Sequence, residues 1–412
     1  MTGRGYEKRD GERGQVLATT VIAFVAICAL VAVAADTGLF FDHRRRMQTG
    51  VDSAAMAGAE QLRRAASATQ IESAAFNAAA TNGFTNGVNG AQVAVNHPPT
   101  SGFYAGNDAF VEAVISQVRP TTFMGILGFQ TATVSTRAVA GAKAGPACIY
   151  AMDPTAASAF NVNGGASVTA TCGIVDDSSS SNAMNSSGGS SSVTATSIAV
   201  TGNVTGCCYS PTPQTGVPPE PDPFAQRAAP VFSGCDYTKF KVTGGTKILT
   251  PGVYCDGIDI TGGSTVTFSP GLYVLNGGGL SVSGNSTLNG TGVTFYNTAS
   301  GSNAYKPVSI SGGTIGTLSA PTSGPMEAML FFQDRGIRSS QTNTISGGST
   351  LNLAGAVYFL TTPLNFSGNS SGDADYTILV ASLITFTGAS RLNADYGSLQ
   401  NGDPITRVAL AE

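Results

Sequence analysis

Residues 261–266 read Thr261-Gly262-Gly263-Ser264-Thr265-Val266, and the pattern returns as Ser283-Gly284-Asn285-Ser286-Thr287-Leu288, Ser311-Gly312-Gly313-Thr314-Ile315 and Ser346-Gly347-Gly348-Ser349-Thr350-Leu351. Earlier copies are Asn163-Gly164-Gly165-Ala166-Ser167-Val168 and Gly188-Gly189-Ser190-Ser191-Ser192-Val193, and a last one is Thr387-Gly388-Ala389-Ser390-Arg391-Leu392. Several successive copies lie about twenty residues apart, the length of one solenoid coil. In each, one strand ends in a Gly-rich corner and another begins. Gly supplies the φ > 0 conformations of such a corner, and Asn and Ser tolerate them or bond across the turn. One coil cannot bury its apolar strand face alone, whereas stacked coils bury a continuous core. At about 4.8 Å per coil, some ten coils would build a rod on the order of 50 Å long. The expected architecture of residues 146–412 is a mainly-β, right-handed parallel β-helix, with a β-sandwich as the alternative.

Composition agrees with a repetitive β structure. Charged residues make up 11 % of the chain and glycine numbers 52, against about 25 % charged residues in an average domain. Apolar residues nevertheless recur through the Gly-rich part, which argues against a coil. The Pro-rich stretch at residues 211–223, PTPQTGVPPEPDP, cannot donate ladder hydrogen bonds at its prolines and reads as a loop leaving the solenoid or a linker between two halves. Six of the seven cysteines, Cys148, Cys172, Cys207, Cys208, Cys235 and Cys255, fall in this region. An even set in a low-charge β region points to disulfides and an oxidising compartment. Disulfides at Cys207, Cys208 and Cys235 would pin the Pro-rich loop.

At the other end, residues 16–35 read VLATTVIAFVAICALVAVAA without a charge, and about 20 such residues cross a bilayer core. Basic residues flank both ends, Arg4, Lys8, Arg9 and Arg13 before and Arg44, Arg45 and Arg46 after, so the positive-inside rule does not orient the segment. Ala32-Val33-Ala34 offers a signal-peptide site as the competing reading. Past Asp36, residues Met47, Val51, Ala54, Ala55, Gly58 and Leu62 recur at three- and four-residue steps, an amphipathic helix prolonging the span. Its small-residue face either receives another helix or packs on its own domain. The organisation expected is a cytoplasmic tail (1–14), a transmembrane helix (15–35), a continuing helix (36–62), a small α+β module (63–145) and the solenoid (146–412). Within the module, residues 71–80 read as helix, 91–95, 109–118 and 131–140 as strands, and 123–129 as a short apolar piece.

The block from Arg13 to Leu62 resembles the N-terminal region of TadG-like proteins of the Tad (Flp) pilus system. The elements that carry the resemblance are Gly14 and Gln15 before the span, Asp36 and Gly38 at its exit, the basic run at 44–46, then Gln48 and Asp52 before an alanine run. The run VRPTTFMGILGF resembles the equivalent stretch in TadE/TadG-like proteins. Related prepilins are cleaved after a glycine, with Glu at the fifth mature position; here a cut after Gly14 places Thr19 there. The resemblance implies an inner-membrane, single-pass protein with its C-terminal bulk periplasmic or surface-exposed. It also implies a non-enzymatic role in pilus assembly or adhesion, with partners among TadE/TadF-like, pilin or secretin components.

Parallel β-helices also host polysaccharide lyases and hydrolases, so paired acids matter. Asp256 with Asp259, Asp373 with Asp375, and Asp176 with Asp177 are the candidates for acid/base work or Ca²⁺. Three residues put Asp256 and Asp259 on opposite faces of a straight strand, and each pair reads more simply as a turn. The only histidines, His43 and His97, lie outside the repeats, and no CxxC occurs. No catalytic residue, metal ligand or cofactor is therefore expected. A net charge of −4 and the absence of a basic stripe beyond the membrane flank leave no footprint for nucleic acid. A β-helix enzyme acting on polysaccharide and a surface adhesin unrelated to pili stand as alternatives.

Overall fold

The computed structural model describes residues 12–63, 66–144, 147–346, 351–367 and 374–411. The chain forms two compact units, residues 1–143 with 406–412, and residues 144–405.

In the first unit one helix, α1 (Glu12–Arg63), runs without a break through the apolar stretch and the amphipathic one. From Leu17 to Val33 its large apolar side chains are exposed, and beyond Asp36 one face becomes buried. That face, Met47, Val51, Ala54, Ala55 and Ala59, packs on α2 (Ala68–Thr81) through Ile71, Ala75 and Ala79. It packs also on the sheet formed by β1 (Ala91–Asn96), β2 (Phe110–Pro120) and β3 (Thr131–Ala144). A Cβ on Gly58 would stand 2.9 Å from Val111 Cγ1, and one on Gly50 would stand 2.7 Å from the Phe84 ring. The small residues are thus used to bring the helix against its own module. β1–β2 and β2–β3 pair antiparallel in continuous register. The fourth strand of this sheet is C-terminal, Thr406–Leu410. It leaves the solenoid, which the sequence reading ran to residue 412.

The second unit is a three-sided parallel solenoid: every pairing between its named strands is parallel, which excludes the sandwich. A coil such as residues 271–291 has a first-side strand, a second-side strand, a Gly corner and a third-side strand. The repeated motif is always that one corner. At Gly262 and Gly263 φ is 71° and 67°, at Gly312 and Gly313 it is 68° and 72°. The next residue turns a buried hydroxyl inward, Ser264 to the Thr261 carbonyl (2.5 Å), Ser286 to Ser283 (2.7 Å) and Thr314 to Ser311 (2.6 Å). The corners also stack closely, since a Cβ on Gly262 would meet the Gly244 nitrogen at 3.2 Å and one on Gly312 the Gly284 nitrogen at 2.9 Å. Gly347 to Thr350 of the fourth quoted copy lie outside the described residues.

The coils do not stack in chain order. Along the first side the strands run 237–238, 252–255, 271–276, 293–298, 329–333, 355–359 and 377–381. They then continue with 147–151, 173–176, 198–200 and 214–215. The last coil therefore docks on the first, Leu379 opposite Ile149, and on the second side Thr385 opposite Asn161. At about 4.8 Å per step the stack is about 50 Å long.

The Pro-rich segment is what makes this order possible. It is a strap that carries the chain from one end of the stack to the other. Glu220 N–H donates to Asp177 (2.9 Å), Phe224 sits edge-on to Tyr358 (5.8 Å), Phe232 meets Tyr296 (6.4 Å), and Val253 N–H donates to Asp236 (2.8 Å). Arg335 locks the middle: it bonds Asp222 (3.2 Å) and the Phe224 and Arg227 carbonyls, and its guanidinium lies 5.0 Å over the Tyr358 ring. The strap covers an outward column, Val274, Tyr296, Phe332, Tyr358, Val380 and Tyr150, all buried. First-side strands are accordingly buried on both faces, as at Met329–Gln333 and Thr377–Ala381, while third-side strands such as Thr265–Phe268 alternate. Inside runs an aromatic column, Tyr254, Tyr273, Phe295, Phe331 and Phe359, with ring centroids 5.2 to 6.2 Å apart.

Both ends of the stack discourage further strand addition. The coil at residues 237–249, which ends the stack on one side, carries Lys239, Lys241 and Lys247. Lys247 takes the register place of buried Val266 but is itself exposed, a charge where a further coil would need an apolar residue. The other end closes with Pro211 and Pro213 around Gln214–Thr215.

Candidate functional site

The residues singled out by resemblance concentrate where α1 changes from apolar to amphipathic. Asp36 is 1 % exposed, a burial a carboxylate tolerates only with its oxygens satisfied. Its two oxygens accept the backbone N–H groups of Thr122 (3.1 Å), Phe123 (2.9 Å) and Met124 (2.7 Å). Those residues open the β2–β3 loop and its single 3₁₀ turn, Met124–Leu127. Asp36 and the TTFM stretch, 86 to 88 residues apart, are thus two halves of one clamp.

About three turns on, Gln48 also ties the helix to the sheet, its Nε2 donating to Asp52 (2.7 Å) and to the Arg137 carbonyl on β3 (3.3 Å). His43 Nε2 bonds Gln117 Oε1 (2.8 Å) on β2. Gly38 has no atom within 4 Å of where a Cβ would stand, so packing does not demand glycine there. Gly14 and Gln15 lie in α1.

Glu112 was not singled out from sequence. It is wholly buried and gathers Asn96 (2.8 Å), the Thr100 hydroxyl (2.6 Å) and N–H (3.0 Å), Ser101 (2.8 Å) and Arg137. Burial works against its charge, but the Thr100, Arg137 and Ser101 hydrogen bonds outweigh that and hold its pKa down at about 2. The signal was present: it is the one charge inside the alternating run AFVEAVISQV.

The six solenoid cysteines pair as Cys148–Cys172, Cys207–Cys208 and Cys235–Cys255, and Cys28 is exposed on α1. Cys235–Cys255 fixes the end of the strap to the strand Gly252–Thr261. Of the candidate acid pairs, Asp256 and Asp259 do not part to opposite faces as a straight strand requires. The backbone turns left-handed at Asp256 (φ 60°) and Gly257 (φ 81°), and both acids border one groove with Lys239, Lys241 and Lys306. Asp259 stands 3.5 Å from the Lys241 ammonium. Asp375 is exposed, and Asp373 lies outside the described residues. Asp176 is buried in the coil interior, one oxygen accepting the Ser178 N–H (3.0 Å) and the other without a partner. Burial pushes its pKa up to about 7 and that of Asp177 to about 6. Among the described residues no three His, Cys, Asp or Glu side chains converge to hold a metal ion.

Residues 14–66 match the family described as Flp pilus-assembly TadE/G-like, and residues 57–140 match the one described as Tad-like Flp pilus-assembly. Residues 14–140, the α1 helix and the module behind it, are thus similar to TadG-like proteins of Tad/Flp pilus assembly. No curated protein and no solved structure matches the chain. The apolar part of α1 is long enough to cross a bilayer once, and fits a single-pass anchor.

Proposed function

We propose that this is a membrane-anchored component of Tad/Flp pilus assembly or adhesion that acts without catalysis and carries the solenoid as its extracytoplasmic working part. The observation that carries this reading is topological. Both connections to the solenoid leave from one sheet of the Tad module, which the C-terminal strand rejoins, Ala411 N–H donating to the Val139 carbonyl (2.7 Å). A stack of coils held by both chain ends is suited to bear a contact rather than to turn over a substrate. Its second side offers an in-register column of uncharged hydrogen-bonding groups, Ser309, Thr344, Asn365, Thr385, Asn161 and Asn185. Such a column favours protein partners, here TadE/TadF-like, pilin or secretin components, with the inner membrane holding α1 and the C-terminal bulk in the periplasm or at the surface. The test replaces residues 146–405 by a short Gly/Ser linker in the chromosomal copy. Membrane insertion is expected to persist while piliation or adhesion falls; normal pili and normal adhesion would refute the assignment.

A further inference from the structure

The loop between β2 and β3 carries apolar side chains that the protein leaves uncovered: Ile126 is 85 % exposed, Phe129 62 % and Phe123 43 %. It stands beside the apolar part of α1, and the two enclose a groove of about 460 Å³ lined by Val25, Cys28, Val31, Ala32, Phe123 and Ile126. The loop's backbone is ready for a medium without water. N–H groups of residues 122, 123 and 124 go to Asp36. Those of Thr121, Ile126, Gly128 and Phe129 go to carbonyls within the loop, at 3.0 to 3.2 Å. Irregular backbone survives at membrane depth only when such groups are satisfied inside the protein.

Asp36 removes the remaining objection, because its carboxylate is closed off and compensated. Beyond it, exposed apolar residues resume with Leu39 (60 %) and Phe41 (65 %) before the charges of Asp42, Arg44, Arg45 and Arg46 begin. Arg119, at the neck of the loop, borders the same polar pocket as Arg46. Arginines at this level are placed to meet lipid headgroups.

We propose that the loop at residues 123–129 is a second membrane contact, embedded in the bilayer beside α1, with a lipid acyl chain lying in the groove and the lipid boundary near residues 42–46 rather than at residue 35. The apolar stretch then spans residues 16–41, about 39 Å at about 1.5 Å per residue, enough to cross a core of about 30 Å with tilt. This rests on the reading of α1 as a membrane anchor.

The test uses the full chain with Cys28→Ser in phosphatidylcholine vesicles, labelled with a polarity-sensitive fluorophore at one engineered cysteine and quenched by brominated phosphatidylcholine. I126C reports the loop, I22C the span, and D108C the far end of β2. I126C is expected to be quenched several-fold more than D108C, most strongly by bromine deep in the acyl chain, at the level of the Val25 to Ala32 stretch that lines the same groove. Quenching of I22C with I126C no higher than D108C would overturn the loop proposal and leave the anchor standing. Failure to quench either would overturn both.

Discussion

Replacing Asp176 by asparagine isolates the cost of an ionisable group inside a coil. The carboxyl is fully buried with one oxygen unpartnered, and burial raises its pKa from 3.8 to about 7. Between those values the folded chain holds a proton that the unfolded chain has released. Stability therefore falls as pH rises through this window, by about 1.4 kcal/mol per unit, and levels off above about pH 7. The full shift amounts to about 4 kcal/mol, order of magnitude. Asp176→Asn keeps the shape and the acceptor for Ser178 but cannot ionise. In urea titrations of the detergent-solubilised chain, followed by β-type circular dichroism, the variant should lose most of this pH dependence and gain several kcal/mol relative to wild type at pH 8. The remaining slope belongs to Asp177, raised to about 6. Equal pH slopes in wild type and Asp176→Asn would refute the reasoning.

Two other substitutions probe the strap and the module. Phe224→Ala removes a side chain that is 3 % exposed against Tyr358 and should cost about 3 kcal/mol, with faster amide exchange across residues 220–236; unchanged exchange there would count against the strap as a packed element. Glu112→Gln should destabilise the module by about 2 kcal/mol at neutral pH. Because the native pKa is depressed from 4.5 to about 2, the carboxylate's contribution is present above about pH 4.5 and lost as pH falls towards 2. The variant should be insensitive to that fall, as thermal melts at a series of acid pH values would show.

The elements of the module were legible because each follows a simple period. Alternation marked 91–95, 109–118 and 131–140, and the structure places strands at Ala91–Asn96, Phe110–Pro120 and Thr131–Ala144. The Gly corner was legible because left-handed pairs such as Gly262-Gly263 and Gly312-Gly313 need glycine, so the motif marks the same corner in successive coils. The order of the coils was not. An inward Val266 or Leu288 fits against almost any neighbouring coil, so local sequence does not say that 377–381 docks on 147–151. A trace remained in the consecutive apolar runs MLFF at 329–332 and ILVA at 378–381, which require cover on both faces; the cover comes from Phe224 and Phe232 on the strap, through contacts that no local pattern encodes. The Asp36 clamp was hidden for the same reason. Asp36 stood out, and so did the TTFM stretch, but their pairing spans more than eighty residues.

The docking of the last coil on the first is tested most directly by N161C with T385C. The two residues are register partners on adjacent parallel strands, whose spacing of about 4.8 Å lies within disulfide reach. A protease site placed at Gly216 in the strap would separate residues 1–216 from the rest, and no native disulfide crosses that cut. After oxidation and cleavage, the double variant should run as one band without reductant and as two with it, while N161C with S281C gives two bands throughout. Two bands from N161C with T385C under non-reducing conditions would contradict the stacking order on which the fold account rests.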